Sequence, residues 1–187
     1  MRHFLFVCMV TALSSSGCSA PPAAPLSELE ARVRTALARS PGTFAVAFRD
    51  LEDTTRTLLI NDTVRFHAAS TMKTPVMIEV FKQAEAGRFA LDDSLLIKNR
   101  FYSIVDSSIY RMDIGGDSAE KLYTMIGQKA GIRELVVDMI TYSSNLATNI
   151  VIDLVDAQEV TQTMRALGAP YIEVLRGVED TKAYRRG

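Results

Sequence analysis

A single pair of β-prone runs, set between one amphipathic helix and a long stretch of helical signal, constrains this chain more than any other feature. Ser27 and Glu30 have capping-box spacing, and Leu29, Val33 and Leu37 line one face of a helix that stops before Pro41-Gly42. Phe44, Val46 and Phe48 then alternate with small residues, an acidic turn spans Asp50 to Asp53, and Thr55 to Ile60 is the second run of a hairpin. From Thr71 onward the pattern is helical, with helices expected at about 71–86, 118–127, 132–141, 146–156 and 158–167. Two strands alone are marginal in water, and their unpaired edges need cover. The order of elements thus specifies an α+β chain with only two main strands.

The chain has 187 residues, 48% hydrophobic and 23% charged, which suits an ordinary globular protein and argues against disorder. Its formal net charge is −1, and no basic or aromatic cluster points to nucleic acid. Arg2 and His3 precede an apolar run from Phe4 to Leu13, too short to span a bilayer but right for a secretory leader. Ser15-Ser16-Gly17-Cys18 resembles a bacterial lipoprotein cleavage box, which would make Cys18 the lipidated residue; cleavage after Ala20 without lipid is the alternative. Pro21, Pro22 and Pro25 with alanines between them form an extended tether. The expected organisation is a leader at 1–18, a tether at 19–25 and a catalytic region at 26–187, divided into helix plus hairpin (26–66) and a helical part (67–187). The expected location is the cell envelope, exported and held to a membrane through the lipid.

Cys8 and Cys18 are the only cysteines and His3 and His67 the only histidines. Loss of the leader leaves no cysteine pair for a disulfide, and the usual zinc ligand sets are missing, so neither metal nor other cofactor is expected. His67 reads as a packing or hydrogen-bonding residue.

Two short motifs carry the chemistry. Ser70-Thr71-Met72-Lys73 places a hydroxyl and an amine three residues apart, on one face of a helix. Such a spacing arises by chance roughly once in a chain of this length, and Ser118-Ala119-Glu120-Lys121 is a second copy. There Asp117 and Glu120 read as a capping box opening a surface helix, so that copy is structural. Ser70 differs in context: Pro75, Val76, Met77, Val80, Phe81 and Ala84 follow at helical spacing before Gly87. Ser70 is therefore expected at a helix start, where free N–H groups favour an alkoxide. Lys73 would be one turn in and buried, hence easier to deprotonate. The same residues also describe an N-cap serine beside a snorkelling lysine. Downstream, Tyr142-Ser143-Ser144-Asn145 precedes a helix carrying Ile150, Val151 and Leu154, so this motif too is set by a helix end.

Ser-x-x-Lys followed by Ser-x-Asn, in this order and on these elements, resembles the class A β-lactamases and related penicillin-recognising serine hydrolases. The likeness runs from about Leu26 to the C-terminus and includes Asn149. It implies an α/β sandwich plus an all-helical domain, with the active site between them. It makes Ser70 the acylated nucleophile, Lys73 its proton acceptor or relay, Ser143 the donor to the departing lactam nitrogen, and Asn145 the residue that binds the substrate's side-chain amide. Glu179, in Arg176-Gly177-Val178-Glu179-Asp180, falls where the family places the Glu that orients the hydrolytic water; an acidic pair in a solvated polar loop is the alternative.

Two departures from the family accompany the likeness. Ser144 stands where the lactamases usually carry an Asp that braces the loop, so Ser144 and Asn149 are expected in supporting roles. Neither Lys-Thr-Gly nor Lys-Ser-Gly, the third motif, occurs in the sequence. The expectation is a fold incomplete at its C-terminus, a truncated copy with little turnover. Three functions follow: a serine β-lactamase opening the lactam ring of an antibiotic through an acyl-enzyme, an envelope peptidase or esterase of the penicillin-binding type acting on acyl peptides, or a non-catalytic envelope binding protein.

Overall fold

The computed structural model describes residues 26–186. The expected leader, the tether and Cys18 lie outside the described residues. Two compact units divide between Phe66 and His67.

In the first unit, α1 (Leu26–Leu37) carries Leu29, Val33 and Leu37 at i, i+4 spacing and packs against the second strand of the hairpin. Ser27 lies inside this helix instead of capping it. Glu30 pairs with Arg34 one turn on, at 2.7 Å, so the capping-box expectation fails because both side chains belong to helical turns. Strands β1 (Val46–Arg49) and β2 (Thr57–Ile60) are antiparallel, with Val46 opposite Ile60 and Arg49 opposite Thr57. Leu58 and Ile60 are buried while Leu59 between them is exposed, the alternation a one-sided sheet requires. The acidic turn forms as expected: Asp50 Oδ1 accepts from the amides of Glu52 at 2.9 Å and Asp53 at 3.3 Å.

The second unit opens with a 3₁₀ turn at Ala69–Met72 that runs into α2 (Lys73–Glu85). There follow β3 (Ser94–Leu96), β4 (Phe101–Tyr102), β5 (Ile109–Tyr110), α3 (Glu120–Thr124), β6 (Lys129–Gly131), α4 (Ile132–Thr141), α5 (Asn145–Val155), α6 (Ala157–Ala166) and α7 (Thr181–Tyr184). α5 is the central element. It is apolar nearly all round, lies along α4 and against α2, and contributes Leu146, Val151 and Val155 to a core shared with Val76 and Val80 of α2, Leu135 and Met139 of α4, and Val160 of α6. Its amino end begins with Asn145, directly after Ser143 and the N-cap Ser144. No helix among the described residues is long and apolar enough to cross a membrane.

Several expectations need correction. The helical signal after Thr71 is interrupted by two small antiparallel ladders, β3 with β6 and β4 with β5. Strands of two or three residues are too short to display period-two alternation. The helix expected at about 118–127 is cut to α3, because Gly127, Gln128 and the β6 residues bond across to Ile97 and β3. Asp117 and Glu120 make no capping box. Ala119 is the N-cap and has no side-chain cap bond, while Asp117 turns toward α5. On α2, Phe81 is exposed and Glu79 and Gln83 are buried instead. Their burial is satisfied internally: Gln83 Nε2 donates to Glu79 Oε1 and to the Val155 carbonyl, both at 2.8 Å, and Thr163 Oγ1 donates to Glu79 Oε2.

Candidate active site

Ser70 lies in the 3₁₀ turn and is exposed; Lys73 is the first residue of α2 and only 2% exposed. The turn is entered through Ala69 at φ +46, an αL conformation that costs a non-glycine residue on the order of 1 kcal/mol. Thr71 Oγ1 donates back to the Ala68 carbonyl and Ala69 N donates to His67 Nδ1 at 3.2 Å, so this bent entry is held by local bonds. His67 has the hydrogen-bonding and packing role expected of it, with its ring edge-on to Tyr184 at 5.6 Å.

The second motif meets the first across the unit. Lys73 Nζ donates to the Ser143 carbonyl at 2.6 Å, to Ser143 Oγ at 3.0 Å and to Asn145 Oδ1 at 2.9 Å. Ser143 Oγ in turn lies 3.0 Å from Ser70 Oγ. Ser143 has φ +57, and this left-handed kink between α4 and α5 lets both its carbonyl and its hydroxyl face Lys73. Ser144 follows as the N-cap of α5. Its Oγ accepts from Ala147 N at 3.1 Å, and its carbonyl accepts from Thr148 Oγ1 at 2.6 Å. Ser144 therefore supports the motif without facing Ser70.

Three donated bonds use all three hydrogens of an ammonium, so the arrangement accommodates charged Lys73. Neutral Lys73 has a lone pair, and Ser143 O–H can rotate to donate to it while accepting from Ser70 O–H. The same heavy atoms thus give a hydrogen-bonded path Ser70–Ser143–Lys73 along which a proton can pass. Burial pushes the Lys73 ammonium below the usual lysine value, and the carboxylates of Asp117 and Glu179 oppose that shift without cancelling it.

Glu179 reaches this cluster through Asn145, whose Nδ2 donates to Glu179 Oε1 at 3.3 Å. Asn145 thereby turns its carbonyl to the amine and its amide hydrogens to the carboxylate. Glu179 is exposed with φ +61, and its loop is clamped from below by Asn149. Asn149 Oδ1 accepts from Val178 N at 2.6 Å, and Nδ2 donates to the Val178 carbonyl at 3.0 Å. Gly177 is required there, since a Cβ would stand 2.4 Å from Asn149 Oδ1. Among the described residues, Ala69, Ser143 and Glu179 are half of the six non-glycine residues with positive φ. Backbone strain is concentrated around one cluster.

All five residues expected in chemical or binding roles, Ser70, Lys73, Ser143, Asn145 and Glu179, are linked in one hydrogen-bonded series. Ser118 and Lys121, the second copy of the spacing, are both exposed. Sequence reasoning missed Asp180. It is 2% exposed and accepts from Ser103 Oγ at 2.9 Å, Ile104 N at 3.0 Å and Ala183 N at 3.2 Å, tying the Glu179 loop to the β4–β5 turn. Burial alone would raise its pKa, but these bonds outweigh burial and hold the carboxyl below its ordinary value. Its position directly after Glu179 and before Thr181-Lys182 was the available signal for a helix cap. No group of three His, Cys, Asp or Glu side chains among the described residues could hold a metal ion.

Solved structures of similar fold include a β-lactamase from Sphaerobacter thermophilus, 28% identical, matching 83% of this chain and 54% of that one with a TM-score of 0.67. A β-lactamase from Chitinophaga pinensis, 21% identical, matches the same shares with the same TM-score and speaks for the fold alone. A PBP-A variant captured as an acyl-enzyme complex with penicillin G is 26% identical over 86% of this chain and 56% of its own, with a TM-score of 0.62. The chain spans about half the length of these structures. No curated protein matches it. Residues 28–186 match the model of the beta-lactamase enzyme family. With an α+β fold and nearly all of its described residues inside that match, the chain belongs to the beta-lactamase enzyme family.

Proposed function

We propose that this protein is a class A-like serine hydrolase whose Ser70 is acylated by a strained cyclic amide, a β-lactam. The observation that carries the reading is the Lys73–Ser143–Ser70 hydrogen-bonded series, with both links at 3.0 Å and a buried amine at its end. In the proposed reaction Ser70 Oγ attacks the lactam carbonyl while its proton passes through Ser143 to neutral Lys73. The C–N bond then breaks, and the departing nitrogen takes a proton from Ser143, which Lys73 replenishes. Asn145 holds the substrate's side-chain amide, and Glu179 orients the water that releases the acyl group. Relay by positioned groups of this kind contributes about 10²–10⁴-fold to rate. Ser144 and Asn149 support the site through the α5 cap and the loop clamp.

The test is intact-mass measurement of the 187-residue chain after exposure to penicillin G. An adduct of the full penicillin mass, lost in Ser70→Ala, is expected; no adduct on the folded protein overturns the reading. The likeness to the PBP-A acyl-enzyme favours a second reading, an acylatable envelope peptidase or esterase that releases its acyl group slowly. Decay of the adduct with time separates the two. Export and lipid attachment at Cys18 are part of the proposal, tested by the mass of the mature amino terminus.

A further inference from the structure

Asp117 sits half-buried outside the hydrogen-bonded series, yet its carboxylate receives four bonds, from the amino ends of α3 and α5 and from Tyr123. Oδ2 accepts from Leu146 N of α5 at 2.7 Å, from Tyr123 Oη of α3 at 3.1 Å and from Ser144 Oγ at 3.3 Å; Oδ1 accepts from Ala119 N at 3.0 Å. At the amino end of α5, Ser144 is N-cap, Leu146 is N2 and Ala147 is N3. An N-cap hydroxyl can take one of these amides, and Ser144 takes Ala147. Leu146 N is 29 residues away in sequence from the group that satisfies it. The bond is charge-assisted and short, the strongest sort available to a backbone amide.

We propose that Asp117 is a positioning residue for the reaction: its carboxylate fixes the amino end of α5, and through it the Ser143 and Asn145 groups that face Lys73. The inference rests on the reading of Ser70 as an acyl acceptor. Ser143 and Asn145 flank the buried Ser144, so a shift of this end moves both of Lys73's side-chain partners together. The same carboxylate adds negative charge near the amine. The titratable groups that meet its field are Lys73 on α2, Tyr123 on α3 and Asp138 on α4, with Asp113 and Glu179 acting on some of the same groups. Burial raises Tyr123 far above the usual tyrosine value, with Asp117 reinforcing the shift, so the phenol stays protonated and keeps donating.

The proposal separates from a general structural role through rescue. Aspartate is as good an N-cap as serine and can accept from N2 or N3. Ser144→Asp therefore puts a carboxylate within reach of the Leu146 amide without restoring any bond to Ala119 or Tyr123. The experiment compares the full chain with Asp117→Ala, Asp117→Asn and Asp117→Ala/Ser144→Asp. It reads the rate of penicillin adduct formation and, without any substrate, the titration of Lys73 by carbon NMR of its labelled ε position. Expected are an adduct rate about 10–100-fold lower in Asp117→Ala, recovery of most of that loss in the double variant, and a Lys73 titration moved to lower pH in Asp117→Asn. Adduct formation at the parental rate in Asp117→Ala, or a double variant as slow as the single, overturns the proposal. If the parent chain takes no adduct, the acyl-acceptor reading fails instead, and the Lys73 titration still decides whether Asp117 acts on the amine.

Discussion

The amino ends of α2 and α5 carry the two motifs, and they are finished in opposite ways. At α2 the N-cap is Met72, with no side-chain cap bond, and Ser70 stays exposed in the preceding 3₁₀ turn. At α5 the N-cap is Ser144, buried completely, with its own hydroxyl on Ala147 and the Asp117 carboxylate on Leu146. One end keeps its hydroxyl at the surface; the other buries its hydroxyl in the cap. Two serines at helix ends thus differ in whether anything outside the protein can reach them. An exposed hydroxyl can meet a substrate, while the end that faces it is fixed by its cap bonds.

Breaking the open end should have the largest effect. Ser70→Ala is expected to abolish the penicillin adduct while changing stability by no more than about 0.5 kcal/mol, as for an exposed side chain, read by intact mass and thermal unfolding. Lys73→Met comes next. It should slow acylation by about 10²–10⁴-fold, the usual worth of a positioned acid–base group, measured as adduct formation against time. On the closed end, Ser144→Ala should cost about 0.5–2 kcal/mol through loss of the cap, visible in denaturant unfolding, with Ser70 still able to react. The smallest effect sharpens the electrostatic side of the contrast. Glu179→Gln removes a charge that holds the Lys73 pKa up, so that pKa falls further. Because Lys73 must be neutral to accept a proton, the acidic limb of the acylation profile should move to lower pH, and an unmoved or alkaline-shifted limb would contradict this.

Much of this contrast was legible in the sequence. Ser70, Lys73, Ser143 and Asn145 stand at helix starts that hydrophobic periodicity locates well, and α4 occupies Ile132–Thr141 as its apolar spacing indicates. The hairpin and its acidic turn follow from local alternation and turn chemistry. What escaped is of a different kind. The β3–β6 and β4–β5 ladders are two or three residues long and exist because distant segments meet. Asp117 and Glu120 satisfied a local capping pattern, but Asp117's strongest bond is to Leu146, 29 residues on. A carboxylate's partner is chosen by tertiary approach, and local spacing carries no record of it. Glu79 escaped for the same reason, being an ordinary helix residue by its spacing yet bonded to Thr163 of α6.

The central claim is that Ser70 is activated through Ser143, not by its exposure. Ser143→Ala leaves both Ser70 and Lys73 in place, so the rate of penicillin adduct formation in this variant, followed by intact mass from acid to alkaline pH, tests that claim most directly. The account predicts a rate lower by about 10²-fold or more at every pH. Labelling of Ser70 in Ser143→Ala as fast as in the parent chain would contradict it.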